Sequence, residues 1–255
     1  VFLFSILIWR VIFHFNDLYS IGGYSSMIHF FTALGIAILS FVLIEIMRRI
    51  DKVSWKQIGM SNIRTNISSF LVGTILWHIP AFIGLVISLL AGWVEITVLS
   101  NINQILLSTI VLYVTVFLIE AFPEEIITRG YIYSYLNTIF PHWVTLILQT
   151  LLFTLFAFLV GAIYSIDGFM LGYFRSKSGN VWTSIGFHVS IRTASQILNP
   201  VHGNFDVNGV FAIRFFAFNL LPYVLGSFAL EYIYPNHSWS EINPFKKQPR
   251  YSEEK

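Results

Sequence analysis

The sequence predicts an all-α fold: a polytopic membrane helix bundle of about eight transmembrane helices with both termini in the cytoplasm. Three observations predict it. Of the 255 residues, 56% are hydrophobic and only 11% charged, where a soluble domain carries about 25% charged residues. Apolar stretches of membrane-crossing length recur from end to end, without the ~10-residue alternation of a membrane β-barrel. The basic residues also fall into alternate connections, as the positive-inside rule requires.

The spans follow in order at about 1–17, 27–47, 67–92, 104–127, 142–160, 161–174, 181–198 and 209–233. The opening "VFLFSILIWR" lacks a basic n-region and a small-residue cleavage site, so it reads as a span and not a signal peptide. Pro80 in "LWHIP" predicts a kink in the third span. Gly161 is the expected break between the fifth span and the sixth, which is short for a ~30 Å hydrocarbon core. Arg48, Arg49, Lys52, Lys56 and Arg64 fill one loop, and Arg175 and Lys177 another. Lys246, Lys247, Arg250 and Lys255 lie in the tail, whereas the loops near 93–103 and 199–208 have neither Lys nor Arg. Residues 1–240 are therefore expected to form one bundle and 241–255 a polar cytoplasmic tail, with fraying expected from His237 onward. Trp55, Trp93, Trp143, Trp182 and Trp239 fall near span ends, where interfacial anchors belong.

Composition also excludes some chemistry. Without cysteine there is no disulfide, thiol nucleophile or thiolate metal site. No phosphate loop, dinucleotide fingerprint or nucleic-acid-binding patch is present, and topology explains the basic loop 48–64. The bilayer is the first expected partner. A Phe-, Ile- and Asn-rich chain suggests a bacterial plasma membrane.

The polar residues inside the spans carry the functional signal. Glu120, Glu124 and Glu125 lie within or at the end of the fourth span. Each ionised carboxylate at mid-bilayer costs about 2.5–3.5 kcal/mol on insertion scales, so three unpaired would cost roughly 10 kcal/mol. They must be paired, protonated, metal-bound or hydrated. Glu120 and Glu124 are four residues apart and share a helix face; Glu125 and Arg129 are also four apart, in the favourable acid-before-base order. Pro123 frees the carbonyl of Ile119, which is tolerated inside protein or beside a wet cavity. A second constellation, "NVWTSIGFHVSIRTASQ" at 180–196, places His188 and Arg192 on one face. Two readings of these groups stand together: ion pairs that hold helices, or a functional site built from imidazole and carboxylate, a zinc-type donor set.

The two stretches together resemble the CAAX-protease and bacteriocin-processing (CPBP) family of intramembrane metalloproteases, over about residues 105–198. The first family motif, Glu-Glu, three residues, Arg, reads Glu124, Glu125 and Arg129, followed by the usual Gly130. The third stretch reads "GFMLGYFRSKSGNVWTSIGFH", 168–188. The resemblance implies an endopeptidase acting on membrane-associated protein or peptide substrates. Glu124, Glu125 and His188 would be its catalytic residues, and Glu124 and His188 the ligands of a zinc ion. Arg129, Arg192 and Glu120 would supply ion pairs around them.

The sequence departs from that pattern twice. The second motif, Phe, three residues, His, reads Phe153 and Ala157; the third, His, three residues, Asn or Asp, reads His188 and Arg192. The expectation is a family member with a damaged site, its metal replaced by an Arg192–glutamate pair, with Glu124 the natural partner. Such a chain would have impaired catalysis, or would be a non-catalytic membrane regulator or bacteriocin immunity protein. An ion-coupled transporter would instead show two related halves, which are not seen. Asp167 is expected to cap a broken helix or to join the polar site. His78 is expected to serve as polar glue in the core, His142 at an interface, His202 and His237 in loops, and His14 and His29 outside the site.

Overall fold

A computed structural model describes residues 1–19, 26–160, 165–199 and 202–243, the side chains of 12–19, 26–29, 165 and 166 excepted. Its eight helices are α1 (Phe2–Tyr19), α2 (Ser26–Ile50), α3 (Ile63–Leu90), α4 (Ile102–Leu136), α5 (His142–Val160), α6 (Ser165–Ser178), α7 (Val181–Ile197) and α8 (Val210–Ile233). They follow the eight predicted spans, and the chain is a polytopic membrane helix bundle. Among the described residues five helices are long and apolar enough to cross a membrane: residues 30–50 of α2, then α3, α4, α5 and α8. The predicted break at Gly161, and the side chains of His14 and His29, lie outside the described residues.

Two elements differ from expectation. A small antiparallel pair, β1 (Glu95–Val98) and β2 (Phe205–Asn208), interrupts the all-α reading, with Glu95 opposite Asn208 and Val98 opposite Phe205. It joins the two loops that lack Lys and Arg, as loops on one side of the membrane can. The fourth span does not stop at residue 127, because α4 continues for 35 residues to Leu136, about 52 Å at 1.5 Å per residue. Its second half passes through protein: residues 125–134 are all buried.

α7 forms the centre of the bundle. Thr183 to Ile191 are buried without exception, and the helix is 17 residues long. Enclosure by protein is what lets a short helix carry Ser, Thr, His and Arg at membrane depth. α3 lies directly against it. A Cβ at Gly73 would meet the Thr183 carbonyl at 2.0 Å, and one at Gly186 would meet the Phe70 carbonyl at 2.2 Å. Small residues at such a crossing let two backbones touch, the usual means of helix association in lipid. The far end of α3 meets α8 the same way, Gly84 against Ala217.

Trp93 and Trp143 are exposed, and Trp55 stacks on Phe41 beneath the Arg48 guanidinium, as interfacial anchors would. Trp182 instead packs with Phe117, Phe122 and Phe70. The expected fraying from His237 is not found through Asn243. The Asn243 amide N–H donates to the Asn137 carbonyl at 3.0 Å, and its side chain reaches His142 Nε2 at 3.0 Å.

Candidate functional site

The acidic stretch sits on an irregular part of α4. Residues Phe117–Ala121 and Ile126–Ile132 are π-helical, with a short α-helical piece, Phe122–Glu125, between them. Pro123 has no N–H to offer the ladder, and the Phe122 N–H reaches five residues back to Phe117. π-Turns widen the helix and re-aim its side chains, and they occur most often at functional sites. The three glutamates of this stretch meet different surroundings.

Glu125 is fully buried and belongs to the core. Its Oε1 accepts a hydrogen bond from Arg129 Nη1 at 3.0 Å and from His188 Nδ1 at 2.9 Å. An ionised carboxylate can only accept, so His188 carries its proton on Nδ1. Arg129 is equally buried; its Nη2 donates to the Gly168 carbonyl at 3.1 Å and its guanidinium lies 4.0 Å above the Phe153 ring. Phe153 in turn fills the space where a Cβ on Gly168 would sit, 2.7 Å from its Cδ1. The motif arginine, the phenylalanine of the second stretch and the first glycine of the third thus form one packed unit across α4, α5 and α6. Ala157, one turn beyond Phe153, is buried.

Arg192 does find a glutamate, and the ion pair it forms is with Glu120. Arg192 Nε lies 3.2 Å from Glu120 Oε2, and Gln196 Nε2 donates to the other oxygen at 2.7 Å. Glu120, on the π-segment Phe117–Ala121, thus meets the C-terminal half of α7. Glu124 is half-buried, within the electrostatic reach of His188, Glu120, Arg192 and Arg129. Among the described residues no hydrogen bond engages its carboxylate; Thr128 Oγ1 donates to its backbone carbonyl at 2.5 Å.

Beside Arg192 a half-open cavity of about 420 Å³ is lined by Asp167, Gln196, Asn199, Arg214 and Asn219 among others. Asp167 joins this polar region, where it accepts a hydrogen bond from the Tyr223 hydroxyl. Arg214, a residue that no motif signals, donates to the Ser195 carbonyl at 3.1 Å. His78 is exposed, contrary to its expected core position, and its Nδ1 lies 2.9 Å from the Thr74 carbonyl of its own helix.

The donors do not fit a catalytic zinc ion, which takes three protein ligands and an open position. The His188 ring is oriented as a ligand could be, its Nδ1–H held by a carboxylate so that Nε2 is the coordinating atom. Glu124 could supply a second donor. A third is not assembled: position 157 is alanine, Glu120 is held by Arg192 and Gln196, and Glu125 commits Oε1 to Arg129 and His188, which leaves only its buried Oε2 without a hydrogen bond. Among the described residues no group of three His, Asp or Glu could hold a metal ion. The cation of Arg192 in this neighbourhood opposes a divalent ion further.

Residues 106–194 match the family model described as type II CAAX prenyl endopeptidase Rce1-like. The match runs from the first turns of α4 to the last turn but one of α7, and takes in Glu120, Glu124, Glu125, Arg129, His188 and Arg192. It bears out the family resemblance carried by the two motifs and supports an intramembrane protease-type function. Comparison with characterised proteins and with solved structures gave no match.

Proposed function

From this Rce1-like segment, we propose that the chain receives membrane-associated peptide or protein segments beside Glu124 and Arg192, and does not hydrolyse them at a peptidase's rate. The observation that carries the reading is the double commitment of Glu125 Oε1, at 3.0 Å to Arg129 and 2.9 Å to His188, in a site whose 157 position is alanine. Glu124 and the free side of His188 remain, enough to orient a water or a backbone amide. A general base contributes ~10²–10⁴-fold by itself. Removing the group that stabilises the developing oxyanion costs a further ~10²–10³-fold. The cavity beside Arg192 offers a cation, amides and the Asp167 carboxylate to a bound chain. The protein then works as a binding relative, a membrane regulator or an immunity protein.

A second reading, a working metalloendopeptidase with an unusual ligand set, draws on the carboxylate-oriented His188 ring. One assay separates the two. Protein reconstituted in proteoliposomes is given a photocrosslinkable, prenylated CAAX-type peptide, with and without added zinc. The first reading expects crosslinking that Arg192→Glu weakens, and no cleavage above the Glu124→Gln background. Cleavage that is lost in Glu124→Gln would return the chain to the peptidases.

A further inference from the structure

At the bundle end that carries the basic loops, a second cavity of about 340 Å³ opens among the loop after α2, the C-terminal end of α4, the start of α5, the end of α6 and the strand of chain at 237–243. It lies away from Glu124 and owes nothing to the proposed peptide site. Its lining is polar: Lys56, Ser134, His142, Arg175, Ser176 and Lys177 are the groups that matter here. Lys177 is paired with Glu231. Among the described residues Arg175 is not paired with an acid.

Arg175 is 7% exposed, so its charge has lost most of its water. Its Nε donates to the Arg129 carbonyl at 3.1 Å, its Nη2 to Ser134 Oγ at 3.2 Å, and its guanidinium lies 5.6 Å from the Tyr133 ring. Among the described residues no carboxylate pairs with it, and Nη1 has no hydrogen bond. The backbone makes room for this group deliberately. Gly59, at φ +86°, lies so close that a Cβ there would be 2.5 Å from Nη2. A buried cation without a counter-charge is costly to keep, and a rigid planar fork is the donor best matched to an oxyanion. Lys56, exposed at the rim, and the hydroxyls of Ser134 and Ser176 add donors from other directions. The Glu241 carboxylate also lines the cavity, and among the described residues it forms no ion pair with Arg175.

We propose that this cavity binds a phosphate-type oxyanion between Arg175 and Lys56. Free phosphate and the headgroup of an anionic phospholipid share that chemistry, and the cavity opens where α5 begins and α6 ends, beside the basic loops. The anion would also steady the Arg129 backbone, whose side chain holds Glu125.

The test uses the full chain in nanodiscs and follows its melting temperature. One arm is neutral phosphatidylcholine discs titrated with inorganic phosphate against sodium chloride of equal ionic strength, with acetate as the carboxylate control. The other is discs containing phosphatidic acid without free phosphate. Stabilisation in the first arm identifies the free anion, and stabilisation in the second alone identifies the headgroup; both support the site. The half-saturating concentration should rise about tenfold in Lys56→Gln and in Arg175→Gln, as loss of one charge-assisted contact implies. Should Arg175→Gln fail to fold, Lys56→Gln decides. No stabilisation in either arm, equal stabilisation by acetate, or stabilisation unchanged in Lys56→Gln would overturn the assignment.

Discussion

Glu125 Oε1 lies 2.9 Å from His188 Nδ1, and both side chains are almost wholly removed from solvent. The same oxygen carries Arg129, so one carboxylate ties α4 to α7 and, through Arg129 and Gly168, to α6. These contacts hold helices together, and they set the order of severity among substitutions.

Arg129→Ala leaves a buried carboxylate with one partner fewer, and Glu125→Ala leaves a buried guanidinium without its counter-charge. Each should cost about 3–5 kcal/mol. Fluorescence-detected size-exclusion after heating should show both variants melting far below the parent protein, or failing to accumulate. Parent-like melting of either would mean that the pair does not hold the bundle.

Arg192→Ala should be milder. The pair with Glu120 is 13% and 25% exposed, and Glu120 keeps its bond from Gln196. A loss of about 1 kcal/mol is expected. A loss as large as that of Arg129→Ala would mean that Arg192 is the buried structural cation instead.

Gly73→Val should be the most damaging change outside the polar cluster, because a Cβ there already overlaps the Thr183 carbonyl. Gly59→Ala meets two obstacles, the left-handed backbone and the Arg175 guanidinium. The backbone alone accounts for about 1–2 kcal/mol. Gly92→Ala, also at positive φ but with open space around it, isolates that backbone contribution. The difference in melting between Gly59→Ala and Gly92→Ala then reads the crowding by Arg175.

Acid should loosen the chain at 237–243. Burial, with Lys177 nearby, holds the His237 imidazole below its ordinary pKa of 6.5. The folded protein therefore binds this proton less readily than the unfolded chain. The contribution to stability is complete above the unfolded value and falls as pH drops below it. Trp239 packs edge-on against His237, ring centroids 4.6 Å apart. Its fluorescence, with the other tryptophans replaced, should change with a midpoint below 6.5; a midpoint above 6.5 would contradict the burial effect.

The bundle was legible because lipid imposes simple demands: apolar runs of sufficient length and basic residues on one side. Glu125 and Arg129 were legible as a pair because their spacing works on the widened helix as it does on a regular one. The surroundings of Glu120 and Glu124 were not. Their assignment depends on π-segments at Phe117–Ala121 and Ile126–Ile132, which no local pattern announces except the placement of Pro123. The extension of α4 to Leu136 was hidden for a related reason. Residues 128–134 look like a polar exit from the membrane, yet α2, α5 and α6 bury them. Arg175 read as an ordinary loop cation by the positive-inside rule, and only packing against Gly59 shows it to be inside the protein.

The account's central claim is that the ligand set of an intramembrane metallopeptidase is incomplete here, with Glu125 committed to structure. Elemental mass spectrometry of the untagged protein, purified in detergent without chelator, tests it most directly. The account predicts zinc far below one ion per chain and no change in Glu124→Ala or His188→Ala. About one zinc per chain, lost in both variants, would contradict it.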